Sequence, residues 1–176
     1  VIWWDNSGEF YPGSAYYKRS LDGGATWQDQ YVLSSSASGI NIKASGNKVI
    51  AFWFEELGGG QRAVRYARST DTGVTWSAAQ DLSPGGNMGP LEMAMEGGQA
   101  VVVWGEVSGS TVAVKLRRST DEGATWAAAV NVATFTTNPS EGVYADIAIA
   151  GAAIVMGYIE TPWAVRTVRS TDGGQT

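Results

Sequence analysis

The chain contains neither cysteine nor histidine among its 176 residues. Their absence excludes histidine-based triads, Cys/His zinc sites and disulfide frameworks, so any chemistry must come from carboxylates, tyrosine, lysine or arginine. Cations are scarce as well: 12 Lys and Arg against 17 Asp and Glu give a net charge of -5 and a pI near 4.7. Nucleic-acid partners need clustered Lys and Arg to release counterions, so DNA and RNA are not expected ligands. No apolar run approaches the roughly 20 residues that a membrane span requires. The chain opens on Val1 without a basic and then apolar leader. What is plentiful is apolar or small: 44% of residues are hydrophobic, with 23 glycines and eight tryptophans, in a length that can bury a core.

One phrase accounts for much of that composition. "KRSLDGGATW", "ARSTDTGVTW", "RRSTDEGATW" and "VRSTDGGQT" share the skeleton Arg-Ser-x-Asp-x-Gly-x-Thr-Trp, and their serines, Ser20, Ser69, Ser119 and Ser170, recur at steps of 49, 50 and 51 residues. A period near fifty marks a supersecondary unit. Within each unit a β-branched and aromatic run (Val49 to Glu56, Ala100 to Glu106, Ala152 to Glu160) predicts a strand covered on both faces. An alternating strand follows it into the phrase. Behind the phrase an apolar residue six positions after the Trp (Leu33, Leu82, Val132) predicts a fourth strand. Ahead of the run, Ile40 and Ile42, Leu91 and Met93, and Ile147 and Ile149 mark the first strand, with turns at Gly46, Gly97 and Gly151.

Four antiparallel strands per unit predict an all-β chain, a β-propeller of four-stranded blades with the phrase joining strands three and four. A solenoid is the alternative. The units are expected at about 1–35 (partial), 36–84, 85–135 and 136–176 (partial) of a single propeller segment. They carry three, four, four and three strands. These make an incomplete ring of about three and a half blades, to be completed by further chain or by other subunits.

The phrase has the chemistry of a self-satisfied turn. Asp22, Asp71, Asp121 and Asp172 are placed to accept turn N–H groups, and Gly24, Gly73, Gly123 and Gly174 allow positive φ. The hydroxyls of Ser20, Ser69, Ser119 and Ser170 and of Thr26, Thr75, Thr125 and Thr176 bond across it. Trp27, Trp76 and Trp126 anchor it between sheets, each with its N–H on an acceptor. Ser-x-Asp-x-Gly-x-Thr-Trp is similar to the Asp-box, the bacterial neuraminidase repeat of sialidase-type β-propellers. Three copies are full, and the fourth stops at Thr176 before its Trp. The resemblance implies boxes with a structural role on the blade periphery, away from any active site. Such boxes also occur in other glycosidases, sorting receptors and assembly factors.

A sialidase would further imply three arginines on a substrate carboxylate, a tyrosine nucleophile with its glutamate, an aspartate acid/base and an Arg-Ile-Pro element. That tripeptide does not occur, and no catalytic residue is assigned. The face opposite the boxes is expected to be built from loops such as "DNSGEFYPGS", "EELGGGQR" and "SSSASG", with Arg62 as their only arginine. Arg19, Arg68, Arg118 and Arg169 fall at the box end, and Arg65 and Arg166 are expected to flank neighbouring sheets.

Asp5, Glu55, Glu106 and Glu160 put one carboxylate per unit on that face, either as a solvated acidic rim or as a calcium site. No other cofactor is expected. Ligand candidates are Tyr11, with Phe10 as a stacking surface, together with Arg62, Glu92 and Asp146. The last two share with Asn41 the first polar place of the first strand, which in a propeller points to the central channel. Trp4, Trp53 and Trp104 are expected to share one packing place, leaving Trp3 and Trp163 as aromatics of carbohydrate-facing type.

The sequence thus reads as an Asp-box module, carbohydrate-binding or structural and non-catalytic, at the cell surface or outside the cell. Its expected partner is a glycan or a surface protein. Part of an exo-sialidase or related glycoside hydrolase is the first alternative, and a subunit of an extracellular assembly or filament is the second.

Overall fold

The computed structural model describes residues 1–5, 12–136, 144–160 and 164–176. In chain order its strands are β1 (Ile2–Asp5), β2 (Gly13–Tyr17), β3 (Tyr31–Ser45), β4 (Lys48–Gly58), β5 (Gln61–Ser69), β6 (Gln80–Asp81) and β7 (Met88–Glu96). They continue with β8 (Gln99–Ser108), β9 (Thr111–Ser119), β10 (Val130–Thr136), β11 (Ala145–Ala150), β12 (Ala153–Glu160) and β13 (Ala164–Ser170). The described residues contain no helix, and none therefore is long and apolar enough to cross a membrane. Two compact units form, Val1–Gly85 and Gly86–Thr176.

In residues 1–85 all six strands make one antiparallel sheet in the order β1-β2-β3-β4-β5-β6. β3 serves twice: Tyr31 to Ala37 pair with β2, and Ala37 to Ser45 pair with β4. The stretch "SSSASG", expected as a loop, is therefore strand. Its register breaks between Ser38 and Asn41, where Gly39 takes φ 54°. A Cβ on Gly39 would lie 3.0 Å from the Phe54 ring, so glycine lets the bent backbone lie close to β4. The serines also have partners inside the sheet, since Ser34 Oγ donates to Glu55 and Ser36 Oγ to the Glu56 carbonyl. β4 is buried on both faces from Val49 to Phe54. One of those faces packs Ala51 and Trp53 with Ala67 against Ala15 of β2 and Ala37 of β3. Small alanines on both sides let two strand pairs approach closely around one indole.

Residues 86–176 form two sheets, β10-β9-β8-β7 and β11-β12-β13. They meet face to face: Val101, Val103, Val112, Val114, Leu116 and Phe135 of the first pack on Ile147, Ile154 and Met156 of the second. Each fully buried aliphatic side chain there contributes roughly 1.5–3 kcal/mol. β8 is covered on both faces, as its apolar run implies, but β12 is not. Ile154 and Met156 face the core, whereas Val155 is 44% exposed. The expectation of two covered faces fails for the fourth run because β11-β12-β13 has a neighbouring sheet on one side only.

The four Ser-x-Asp turns are built alike. Each serine hydroxyl donates to its aspartate Oδ1 at 2.7 Å and accepts the N–H of the glycine four residues on at 2.7 to 2.8 Å. Each aspartate accepts the backbone N–H of the threonine four residues on through Oδ1 and its hydroxyl through Oδ2. Most of the strong donors that the reversal exposes are thereby matched within the turn.

Two further bonds recur and tie the turns outward. The N–H of Thr72, Glu122 and Gly173 donates to the carbonyl of Asn47, Gly98 and Ala152, in the turn between the first and second strands of the same repeat. The arginine before one box reaches the next, with Arg19 Nη1 on the Thr72 carbonyl and Arg118 Nη1 on the Gly173 carbonyl. The tryptophans differ from expectation. Trp27 is 45% exposed, and the buried Trp76 N–H finds no acceptor among the described residues, its ring lying edge-on to Tyr17 at 5.0 Å. Tyr17 fills the space beside Gly73, and a ring rather than a polar atom therefore meets the indole.

Candidate functional site

The carboxylates at the ends of the second strands turn out to be parts of a ladder. Counting by strand register, Trp53 pairs with Arg65, Trp104 with Lys115, Tyr158 with Arg166 and Trp3 with Tyr16. Each of the third-strand residues lies four positions before its box serine. Trp3, not Trp4, is thus the counterpart of Trp53 and Trp104, because the hairpins differ in length and only pairing reveals the alignment. Trp53 Nε1 donates to Glu55 at 2.7 Å and Trp104 Nε1 to Glu106 at 3.1 Å. Arg65 lies 3.4 Å from Glu55, Lys115 3.9 Å from Glu106 and Arg166 2.7 Å from Glu160. Arg65 also pairs with Asp81.

Arg65, Lys115 and Arg166 are thus each paired within their own sheet. Of the glutamates they hold, Glu55 is only 15% exposed, whereas Glu160 and Glu106 keep 29% and 37% of their side chains open to solvent. In the first repeat Tyr16 stands where the cation would be and stacks on Trp3 at 5.5 Å. Among the described residues no group of three or more acidic side chains is placed to hold a metal ion.

Of the other candidates, Asn41, Glu92 and Asp146 hold one register place, opposite Phe52, Val103 and Gly157. The Asn41 and Asp146 oxygens each accept the N–H of the next residue at 2.8 Å. Asp146 is exposed and Glu92 half-buried. Tyr11, Phe10 and Trp163 lie outside the described residues.

Arg62 lines a cleft of about 490 Å³ in residues 1–85, with Pro12, Ser36, Glu56, Leu57 and the glycines 58–60. The hairpin between β4 and β5 makes its wall, and Gly85 lies close against Leu57. Arg62 Nε is 2.9 Å from Glu56 Oε1, and the guanidinium sits over the Phe54 ring at 5.6 Å. Glu56 also accepts from Ser38 Oγ. The carboxylate and ring hold the guanidinium in place before any ligand arrives, while its side chain stays 32% exposed. A planar cation, a carboxylate and a serine hydroxyl around one concavity form a donor and acceptor set suited to hydroxyl groups. The sequence marked Arg62. The partnership of Glu56 with Arg62 and the lining Ser36 depend instead on how β3, β4 and β5 pair.

The box aspartates are poor candidates for acid/base work. Hydrogen bonds from the Thr125 hydroxyl first, then from the Thr125 N–H and Ser119, hold Asp121 down at about 2. The equivalent threonines, with Ser20, Ser69 and Ser170, hold Asp22, Asp71 and Asp172 well below the usual carboxylate range. A carboxylate that keeps its charge so firmly is an acceptor for the turn and not a proton donor near neutrality. Burial likewise pushes the Tyr17 phenol up, away from ready ionisation.

No protein-family model matches the chain, and no curated protein sequence does. Among solved structures it is similar to the Hadza microbial sialidase Hz136, with TM-score 0.65 and 18% identity over 93% of this chain and 39% of that one. The fold is that of a sialidase-type β-propeller. A Penicillium chrysogenum alpha-L-arabinanase complexed with arabinobiose is similar at TM-score 0.49 and 12% identity, over 90% of this chain and 55% of that one, a likeness too distant to argue from. The chain spans about two fifths of the length of the sialidase it matches. In propeller terms the Arg62 cleft lies at the end of the second and third strands away from the Ser-x-Asp turns.

Proposed function

We propose that this chain is a non-catalytic propeller module that binds carbohydrate at the cell surface or outside the cell, with its Ser-x-Asp-x-Gly-x-Thr turns as Asp-boxes that hold the sheets. The observation that carries the reading is the Arg62–Glu56–Ser36 cleft, an organised donor and acceptor set on the face away from the turns. The fixed ionisation of the turn aspartates supports the architectural half. So does the engagement of Arg19, Arg65, Arg118 and Arg166 in bonds within the fold, which leaves them unsuited to clamping a substrate carboxylate.

The test is a glycan array probed with the chain and with Arg62→Ala and Glu56→Gln, alongside a fluorogenic sialoside assay. Binding to a defined glycan, weakened about tenfold or more by either variant at unchanged fold and without turnover, supports the module. Hydrolysis of the sialoside overturns it in favour of the second reading, part of a sialidase or related glycoside hydrolase. The likeness to the sialidase over nearly the whole chain favours that second reading.

A further inference from the structure

Among the described residues that line the Arg62 cleft there is one cation and one anion, and they are partners. Glu56 and Arg62 face each other across β4 and β5, with Arg62 Nε 2.9 Å from Glu56 Oε1. The same carboxylate accepts the hydroxyl of Ser38, which is 2% exposed, and only 10% of the Glu56 side chain reaches solvent. A carboxylate so far withdrawn from water needs a compensating charge, and Arg62 supplies it. The guanidinium also lies over the Phe54 ring at 5.6 Å, so it cannot swing away from Glu56 without losing both contacts.

This pairing decides what the cleft accepts. A carboxylate, sulfate or phosphate drawn to Arg62 would have to share the guanidinium with the nearly buried Glu56. Either the two anions repel one another or Glu56 is left buried without its cation, and both arrangements are unfavourable. The net charge of -5 on the chain adds to the repulsion. A hydroxyl meets no such penalty, because it donates to a carboxylate and accepts from an N–H while the ion pair stays intact.

The other walls suit an uncharged ligand as well. Leu57 is 51% exposed and offers an apolar surface to the C–H face of a sugar ring. Gly58, Gly59 and Gly60 take φ of 86°, 60° and 76°, and a Cβ at any of them would meet nothing within 4 Å. The hairpin therefore presents bare backbone, against which a ring can lie closely.

We propose that the ligand of this cleft is an uncharged glycan and that the Glu56–Arg62 pair excludes acidic ones. The inference rests on the carbohydrate-binding reading above and adds to it the charge class of the sugar. Glu56 is the specificity-determining residue: it accepts from neutral hydroxyls while it withholds Arg62 from anions.

The test is a glycan array that includes matched pairs differing in charge, such as lactose with sialyllactose and a methyl-esterified oligogalacturonide with its free acid. It is read with the 176-residue chain and with Glu56→Gln, with far-UV circular dichroism as the fold control. The parent is expected to hold the neutral member at least about tenfold more tightly than the acidic one, with little change from low to high salt. Glu56→Gln releases the guanidinium, so it should narrow that preference about tenfold or more and make binding of the acidic member fall with salt. A parent that prefers the acidic member overturns this inference and leaves the carbohydrate-binding reading standing. So does a neutral preference that a folded Glu56→Gln variant leaves unchanged. Binding to no glycan overturns the carbohydrate-binding reading itself, and this inference with it. If Glu56→Gln does not fold, the parent's own preference across the pairs decides.

Discussion

Replacing the box serines by alanine separates what the turn's hydrogen bonds contribute from what their burial contributes. Ser20 and Ser119 make the same bonds at nearly the same lengths: to aspartate at 2.7 Å in both, and from the glycine N–H at 2.7 Å in the first turn and 2.8 Å in the third. They differ in surroundings. Ser119 is 3% exposed and its Gly123 partner is buried, whereas the first turn, including Gly24, lies open to water. In Ser119→Ala the Gly123 N–H loses its acceptor where no water replaces it, at a cost of about 1–3 kcal/mol. In Ser20→Ala water takes over the Gly24 N–H, and the loss should stay within about 0.5–1.5 kcal/mol. For a chain of this size each kcal/mol lowers the melting temperature by roughly 2–4 °C.

Differential scanning calorimetry on the two variants reads the difference, and hydrogen–deuterium exchange locates it. The Gly123 amide should lose protection in Ser119→Ala while core amides such as Val102 and Val103 exchange as before. Equal melting temperatures in the two variants would refute the reasoning, because burial of the donor would then have no weight. A Ser119→Ala protein that melts like the parent would go further and remove the turn from the stability of the fold.

Two other perturbations bear on the same architecture. All four box aspartates have folded-state acidities held below the unfolded value, near 2 for Asp121, so the stability they confer is complete above about pH 4 and lost as pH falls toward 2. With no histidine in the chain, the Val1 ammonium, lowered by burial, is the group expected to titrate between pH 5 and 8, so the melting temperature should change little there, and Asp121→Asn should shallow the acid limb. A fall beginning near pH 6 would contradict this. Gly73→Ala would drive a Cβ into the Tyr17 hydroxyl at φ 83°, while Gly46→Ala meets nothing within 4 Å at φ 58°. Both incur the left-handed penalty of about 1–2 kcal/mol, but Gly73→Ala should be worse by a further margin that Tyr17→Leu in the same chain restores. Equal effects of the two alanines would show that Tyr17 does not hold the space.

The fold was legible because one phrase repeats at a nearly constant step and the residues before and after it keep the two-residue period of strands. Every such signal is local. What the sequence hid depends on alignment between strands. Trp3 and Trp4 are adjacent, and only the pairing of Trp3 with Tyr16 reveals which belongs with Trp53, since the hairpin between β4 and β5 and the connection from β1 to β2 have different lengths. The same ambiguity concealed the cation opposite each glutamate. Arg65, Lys115 and Arg166 are evenly spaced from their boxes, but nothing in their neighbours says that they face Glu55, Glu106 and Glu160. Likewise Arg62 stands out in the sequence, while its pairing with Glu56 follows from the register of β4 on β5, and only the serines of the cleft depend on the bulge in β3 at Gly39.

Burial was the least legible quantity, and the fourth repeat shows why. "AAIVMGYIE" is as apolar as "VIAFWFEE", and on composition both are strands covered on two faces. Composition reports what a strand tolerates on each side. Whether the second side is covered depends on what packs there, which is a property of another segment. Val165 and Val114 are the same residue at the same place in the same repeat, yet one is 74% and the other 1% exposed. Val165 thus keeps the identity of its buried counterpart while its surroundings differ, and no count of apolar residues along β13 distinguishes the two.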